Sequence, residues 1–152
     1  MSRLALAAAS LFLLAQTGSH ASPSADVSFL PAMRVAAAFD KGMPLLETSG
    51  YKVHASRREA PGLAEVHTRD TDIIYVLQGT ATVVTGGEAV DSQPLAGSTE
   101  EFRGTSVRGG RAQELVKGDV FVIPNGVPHQ FTAVQGPFLY YVVKATAAGG
   151  SK

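Results

Sequence analysis

From Pro44 to Lys144 the apolar residues come in short runs, and nearly every run ends at a Gly or a Pro. This punctuation limits the possible folds more than any other feature of the chain. Short runs between turn formers are the signature of strands, because Gly accepts positive φ and Pro presets its own. The runs Tyr51–Arg57, Leu63–His67, Asp72–Leu77 and Thr80–Thr85 come first, and Val120–Ile123, His129–Val134 and Phe138–Lys144 follow. The 16 Gly and 8 Pro among 152 residues exceed what a helical bundle needs and fit many turns. The pattern predicts an all-β sandwich or barrel. Ahead of it, Pro31 to Phe39, with Ala36, Ala37 and Ala38 and a stop at Gly42, predicts a short helix. Gly86 to Gly110 is poor in apolar residues and is expected to form a long hairpin or a mobile loop, over the mouth of a barrel.

The first residues have a different character. Arg3 precedes an uncharged apolar run from Leu4 to Ala15, and Ser19-His20-Ala21 places small residues where a signal peptidase reads. The run is short for a bilayer span, so residues 1–21 read as a secretory signal peptide; the competing reading is an uncleaved anchor. The expected organisation is signal peptide 1–21, leader and short helix 22–43, β-barrel 44–146 and disordered tail 147–152. A periplasmic or secreted protein with no membrane contact after cleavage follows from this reading. The chain has no Cys, which excludes disulfides and lipid attachment at a Cys, so its core alone must hold it. Acids and bases balance at 13 each, which gives no general attraction to nucleic acid or acidic membranes.

One strand and turn stand out for chemistry. Gly118-Asp119-Val120-Phe121-Val122-Ile123-Pro124-Asn125-Gly126-Val127-Pro128-His129 runs an apolar strand into a stiff Pro-Asn-Gly turn and delivers an imidazole to the next strand. A side chain placed that firmly suits a metal ligand, an acid/base group, or a structural cap on the turn. His67 occupies a similar strand-like setting upstream. Glu65 and His67 are two residues apart and face one side of a strand. Asp72, Ile74 and Val76 share a face on the next strand, and His129, Phe131 and Ala133 on a later one.

These two segments resemble the paired motifs of the cupin superfamily. The second motif, G-x5-P-x-G-x2-H-x3-N, is matched by Gly118, Pro124, Gly126 and His129, with Ala133 where the family often has Asn. The first, G-x5-H-x-H-x(3,4)-E-x6-G, is matched in its second half by Asp72 and Gly79, with Asp in place of Glu. In that register His67 is the second histidine, and Glu65 stands where the first would be. A register with His67 first and Arg69 second leaves too few residues before Asp72 and offers a guanidinium, which cannot ligate a metal. The run Glu65–Gly79, with Arg103–Ser106 and Phe138–Tyr141, is also similar to small exported bacterial cupins.

The resemblance implies a double-stranded β-helix, or jelly-roll barrel, with a divalent metal inside (Mn, Fe, Zn, Ni or Cu). The implied ligands are Glu65, His67, Asp72 and His129. Glu65 has competing roles as ligand, as base beside the metal, or as the partner of Arg57 or Arg58. Asp72 either reaches the metal or closes a turn after Asp70-Thr71. His54, on the opposite parity from Val53 and Ala55, reads as a surface residue; Tyr75, Tyr140 and Phe138 read as core; Arg57, Arg58 and Arg103 read as solvated, with one of them available to an anionic substrate at the rim. The implied partner is a small oxygen-rich molecule, with dioxygenation, decarboxylation, isomerisation and lyase chemistry all hosted by this fold. The competing reading is a non-catalytic small-ligand or sugar-binding barrel, with or without metal. Resembling proteins also dimerise through outer sheet faces.

Overall fold

A computed structural model describes residues 26–148. The expected signal peptide at 1–21 and the last four residues of the expected tail lie outside the described residues. Helix α1 (Ala32–Lys41) follows Pro31 and ends at Gly42, whose left-handed φ of 66° lets its N–H close onto Ala38 O. No helix among the described residues is long and apolar enough to cross a membrane. Eleven strands follow: β1 (Met43–Glu47), β2 (Tyr51–Arg58), β3 (Ala64–His67), β4 (Asp70–Thr85), β5 (Glu88–Val90), β6 (Gln93–Pro94), β7 (Glu101–Gly104), β8 (Ser106–Arg108), β9 (Arg111–Val116), β10 (Val120–Ile123) and β11 (His129–Thr146).

The long antiparallel pair β4–β11 organises the molecule. Its register breaks between Gln135 and Leu139, opposite Gly79. Gly79 has φ 78°, and a Cβ there would lie 2.6 Å from Pro137 O, so only glycine lets the two backbones pass this closely. The break divides the pair between two layers. One runs β1–β2–β11–β4–β10, using the second half of β11 and the first half of β4. The other runs β6–β7–β3–β11–β4–β9, using the opposite halves. This is the expected β jelly-roll architecture, with the short helix outside it. The runs expected as separate strands at 72–77 and 80–85, and at 129–134 and 138–144, are thus two continuous bent strands.

The main core consists of Ile74, Val76, Ala81, Val83, Leu115, Ile123, Phe131, Phe138, Tyr140 and Val142. Phe131, Phe138 and Tyr140 form an aromatic cluster with centroids 5.1 to 5.8 Å apart. A smaller cluster lies outside the barrel, where α1 and β1 cover β2 through Ala38, Leu45, Ala55, Phe39 and Tyr141.

Three readings need correction. Gly86–Gly110 is only partly a hairpin: β5 and β8 pair, but β7 joins the second layer against β3. Tyr75 is exposed on the outer face and is not core. Ala133 does not share the inward face of His129 and Phe131, because the strand bulges between Phe131 and Ala133 and turns it outward.

Candidate metal centre and ligand cavity

Both layers send alternate residues into a cavity of about 320 Å³ that adjoins the main core. β2 contributes His54, Ser56 and Arg58; β3 contributes Glu65 and His67; β4 contributes Asp72 and Ile74; β7 contributes Glu101 and Arg103. β11 contributes twice, with His129 and Phe131 from its first half and Tyr140, Val142 and Lys144 from its second. The strict two-residue spacing is the strand pleat, so one face of each strand sets the wall.

Glu65, His67 and His129 come together. One ligand atom from each lies within 4.8 Å of the others, His67 and His129 are buried, and Glu65 is nearly so. The register explains the meeting, since β11 pairs β3 with His129 directly opposite Glu65. The Pro-Asn-Gly turn is tied down by Gly126 N–H to His67 O at 2.7 Å and by Asn125 Nδ2 to Thr68 O at 3.0 Å. The turn that carries His129 is thereby bonded to the strand that carries His67.

The imidazoles are oriented differently. His129 Nδ1 lies 3.1 Å from Val127 O and donates to it in the neutral ring, which leaves Nε2 as the free donor atom. Burial holds the His129 pKa below the usual histidine value. His67 Nδ1 lies 2.7 Å from Glu101 Oε2, and its Nε2 lies 3.5 Å from Asp72 Oδ2 and 3.7 Å from Glu65 Oε2. Neither ring nitrogen makes a directed hydrogen bond, so these contacts act as ion pairs, lying off the ring's N–H axes. Burial opposes charge on His67, but Asp72 and Glu101 outweigh it and raise the pKa to about 9. Burial likewise opposes charge on Asp72 and Glu101, and their cationic neighbours, His67 first, lower each to about 2.

The carboxylates have separate allegiances. Glu65 is opposed by burial but kept ionised, below the usual value, by Arg58 and then Arg103. Arg58 Nη2 donates to Glu65 Oε1 at 2.9 Å, Arg58 Nε donates to the Tyr140 hydroxyl at 3.0 Å, and the guanidinium sits 4.4 Å over the Phe131 ring. Asp72 is held by Lys144 Nζ at 2.7 and 3.0 Å from its two oxygens, the two residues being directly opposite in the β4–β11 register. Asp72 therefore faces His67 from the Lys144 side and is not one of the three mutually close ligand atoms.

Sequence reasoning misplaced or missed several of these groups. His54, expected on the surface, is half-buried and lines the cavity, bonded through Nε2 to Glu47 Oε1 at 3.0 Å. Arg58 is half-buried in the cavity wall, and it, not Arg57, is the partner of Glu65. Glu101 was missed altogether. The signal for β7 was present but inverted: Glu101 and Arg103 point into the polar cavity, while the apolar residue between them is Phe102.

The donor set fits a divalent ion. Two imidazoles and a carboxylate make a mixed N/O site for Mn, Fe, Zn, Ni or Cu, and the buried His67 ring, with no directed partner on either nitrogen, has a lone pair to give such an ion. Glu101 beside Nδ1 is an outer carboxylate of the kind that accompanies a ligating imidazole.

The model of the family described as Cupin matches residues 21–152. The chain belongs to the cupin family. No curated protein matches this cupin in sequence. Among solved structures it is similar to hydroquinone 1,2-dioxygenase from Sphingomonas sp. TTNP3, at 14% identity and TM-score 0.51, over 71% of this chain and 66% of that one. The DMSP lyase DddQ from Ruegeria pomeroyi DSS-3 aligns at 16% identity and TM-score 0.46, over 68% of this chain and 42% of that one. KdgF from Halomonas sp. aligns at 21% identity and TM-score 0.48, over 70% of this chain and 77% of that one. At 14% identity the likeness to the dioxygenase shows the fold alone, and the cupin spans less than two thirds of the dioxygenase and lyase chains.

Proposed function

We propose that this cupin is an exported protein that holds a divalent metal at Glu65, His67 and His129 and uses it to bind or transform a small oxygen-rich molecule. The observation that carries the reading is the convergence of those three donors within 4.8 Å on the wall of a sizeable cavity. A bound divalent ion supplies Lewis acidity toward a ligand oxygen. The chain supplies the rest. The Val127 carbonyl fixes the His129 tautomer, and Glu101 sets a carboxylate 2.7 Å from His67 Nδ1. Glu65 is a carboxylate at the triad and can ligate or accept a proton there, with Arg58 and Arg103 setting its basicity. Ile74, Phe131 and Val142 form an apolar wall beside it that limits water. Asp72 belongs to the site through His67 and Lys144.

Elemental analysis of the purified protein, repeated on a His67→Ala/His129→Ala variant, tests the metal. About one equivalent in the wild type and none in the variant is expected; a wild type that holds no metal and takes up none on titration removes the reading. Turnover of 1,2-dicarbonyls, catechols and small organic acids by metal-loaded protein then separates enzyme from binder. Export is supported by the Arg3, Leu4–Ala15 and Ser19–Ala21 pattern. A mature chain beginning near Ser22, recovered outside the cytoplasm, would bear it out, and one beginning at Met1 would sink it.

A metal-free binding barrel is the second reading. It is favoured by the pairing of Glu65 with Arg58 and of Asp72 with Lys144, which balances both carboxylates without an ion. The same metal titration decides between the two.

A further inference from the structure

Arg58 and Arg103 both approach Glu65, but they are not equivalent. Arg58 is consumed: its Nε and Nη2 are bonded, its plane lies on Phe131, and its Nη1 lies over the Gly62 backbone, where a Cβ would come within 2.6 Å. Arg103 is half-buried and only partly engaged. Its Nη1 reaches Phe102 O at 3.1 Å and Glu101 Oε2 at 3.3 Å. Its Nη2 makes only a 3.4 Å ion pair with Glu65 Oε2, and its Nε has no hydrogen-bond partner among the described residues. A guanidinium with two donors in hand, on the wall of a ligand-sized cavity, matches the fork of a carboxylate.

The cavity's charge agrees. Arg58, Arg103 and Lys144 face Glu65, Asp72 and Glu101, three cations against three carboxylates, which balance while the histidines are neutral. A divalent ion at the triad would leave the lining with two uncompensated positive charges, which a bound anion neutralises better than a neutral polyol does.

We infer that the cavity takes a small organic carboxylate, received by the free donors of Arg103 beside the Glu65–His67–His129 triad. The inference rests on the proposed reading of this cavity as the ligand site and adds the ligand's chemical class and the residue that selects it. Arg103 is a specificity residue here, since its free donors receive the ligand's carboxylate while its contact with the triad is a single 3.4 Å ion pair to Glu65 Oε2.

Calorimetric titration of the full-length protein tests this, with succinate and glycolate as probes and butane-1,4-diol and ethylene glycol as their neutral counterparts. Each is titrated into chelator-treated and manganese-loaded protein, wild type, Arg103→Gln and Arg103→Lys, with circular dichroism to confirm folding. The acids are expected to bind, the diols at least about tenfold more weakly, and Arg103→Gln to cost about tenfold or more in acid affinity, with Arg103→Lys recovering part of it. Equal binding of acids and diols, no acid binding, or acid binding unmoved by Arg103→Gln overturns the inference. Metal uptake without Arg103-dependent acid binding sinks this inference and leaves the metal reading intact. Arg103-dependent acid binding in a protein that takes up no metal does the reverse.

Discussion

Replacing Arg58 by Leu should uncover how much of the barrel's polar interior is held by one ion pair. Arg58 donates to Glu65 Oε1 at 2.9 Å and to the Tyr140 hydroxyl at 3.0 Å, and both members of the ion pair are largely buried. Removing one partner of a buried pair costs about 3–5 kcal/mol, because the remaining charge is left without compensation. Two structural facts adjust that range. Arg103 Nη2 stays 3.4 Å from Glu65 Oε2 and softens the loss, while the Tyr140 hydroxyl forfeits a charged donor worth about 1 kcal/mol or more. Leu keeps some of the contact with Phe131. The expected loss is about 3 kcal/mol at pH 7, in urea unfolding of chelator-treated protein. The pH dependence checks the cause. Because Arg58 and Arg103 keep the Glu65 pKa below its usual value, the pair stabilises the fold above the unfolded carboxylate value of about 4.3, and that contribution fades as pH falls through the lowered one. In Arg58→Leu the Glu65 pKa rises, so the carboxyl protonates as the pH is lowered and the gap to wild type should narrow toward pH 4. Adding Glu65→Leu to Arg58→Leu should restore most of the stability at pH 7. A gap under about 1 kcal/mol at pH 7, or one equal at pH 7 and pH 4, would refute the view that Arg58 compensates a buried charge.

Other outcomes follow from neighbouring contacts. Glu101→Gln should leave the fold intact and weaken metal binding about 10–100-fold in chelator competition, since it removes the carboxylate 2.7 Å from His67 Nδ1; an unchanged affinity would remove Glu101 from the site. In metal-free protein, the stability contributed by charged His67 should be fully present below its unfolded pKa of about 6.5 and decline as pH rises through about 9. Urea midpoints between pH 6 and pH 10 should show that decline in wild type and not in His67→Gln. Gly79→Ala should lower stability by about 1–3 kcal/mol in thermal unfolding, because it forces φ 78° on an L-residue and sets a methyl 2.6 Å from Pro137 O; a neutral result would mean that the strand bend relaxes freely.

Much of the site is legible in the chain because it is written in local geometry. The Pro-Asn-Gly turn fixes where His129 enters its strand, and the two-residue spacing of Glu65 and His67 puts both on one face, as the cavity wall shows. His54 and Glu101 were not legible for a common reason. In β2 and β7 the usual rule is reversed: polar residues face inward to line the cavity, and on β2 the apolar Val53 and Ala55 face outward under α1. A strand with a buried polar face is indistinguishable, by alternation alone, from one with an exposed polar face.

The chain by itself therefore determines the strand-and-turn series, the short helix ended at Gly42, and the stiff placement of His129, all of which depend on backbone preferences over a few residues. Only the tertiary structure decides which ionisable groups become partners. Glu65 goes to Arg58, Asp72 goes to Lys144 across the β4–β11 register, and Glu101 reaches His67 from a strand more than thirty residues away in sequence. Those choices are made by sheet register and by which layer covers which, and they set charge and pKa because a buried ion's energy depends on its nearest few ångströms and not on its sequence neighbours.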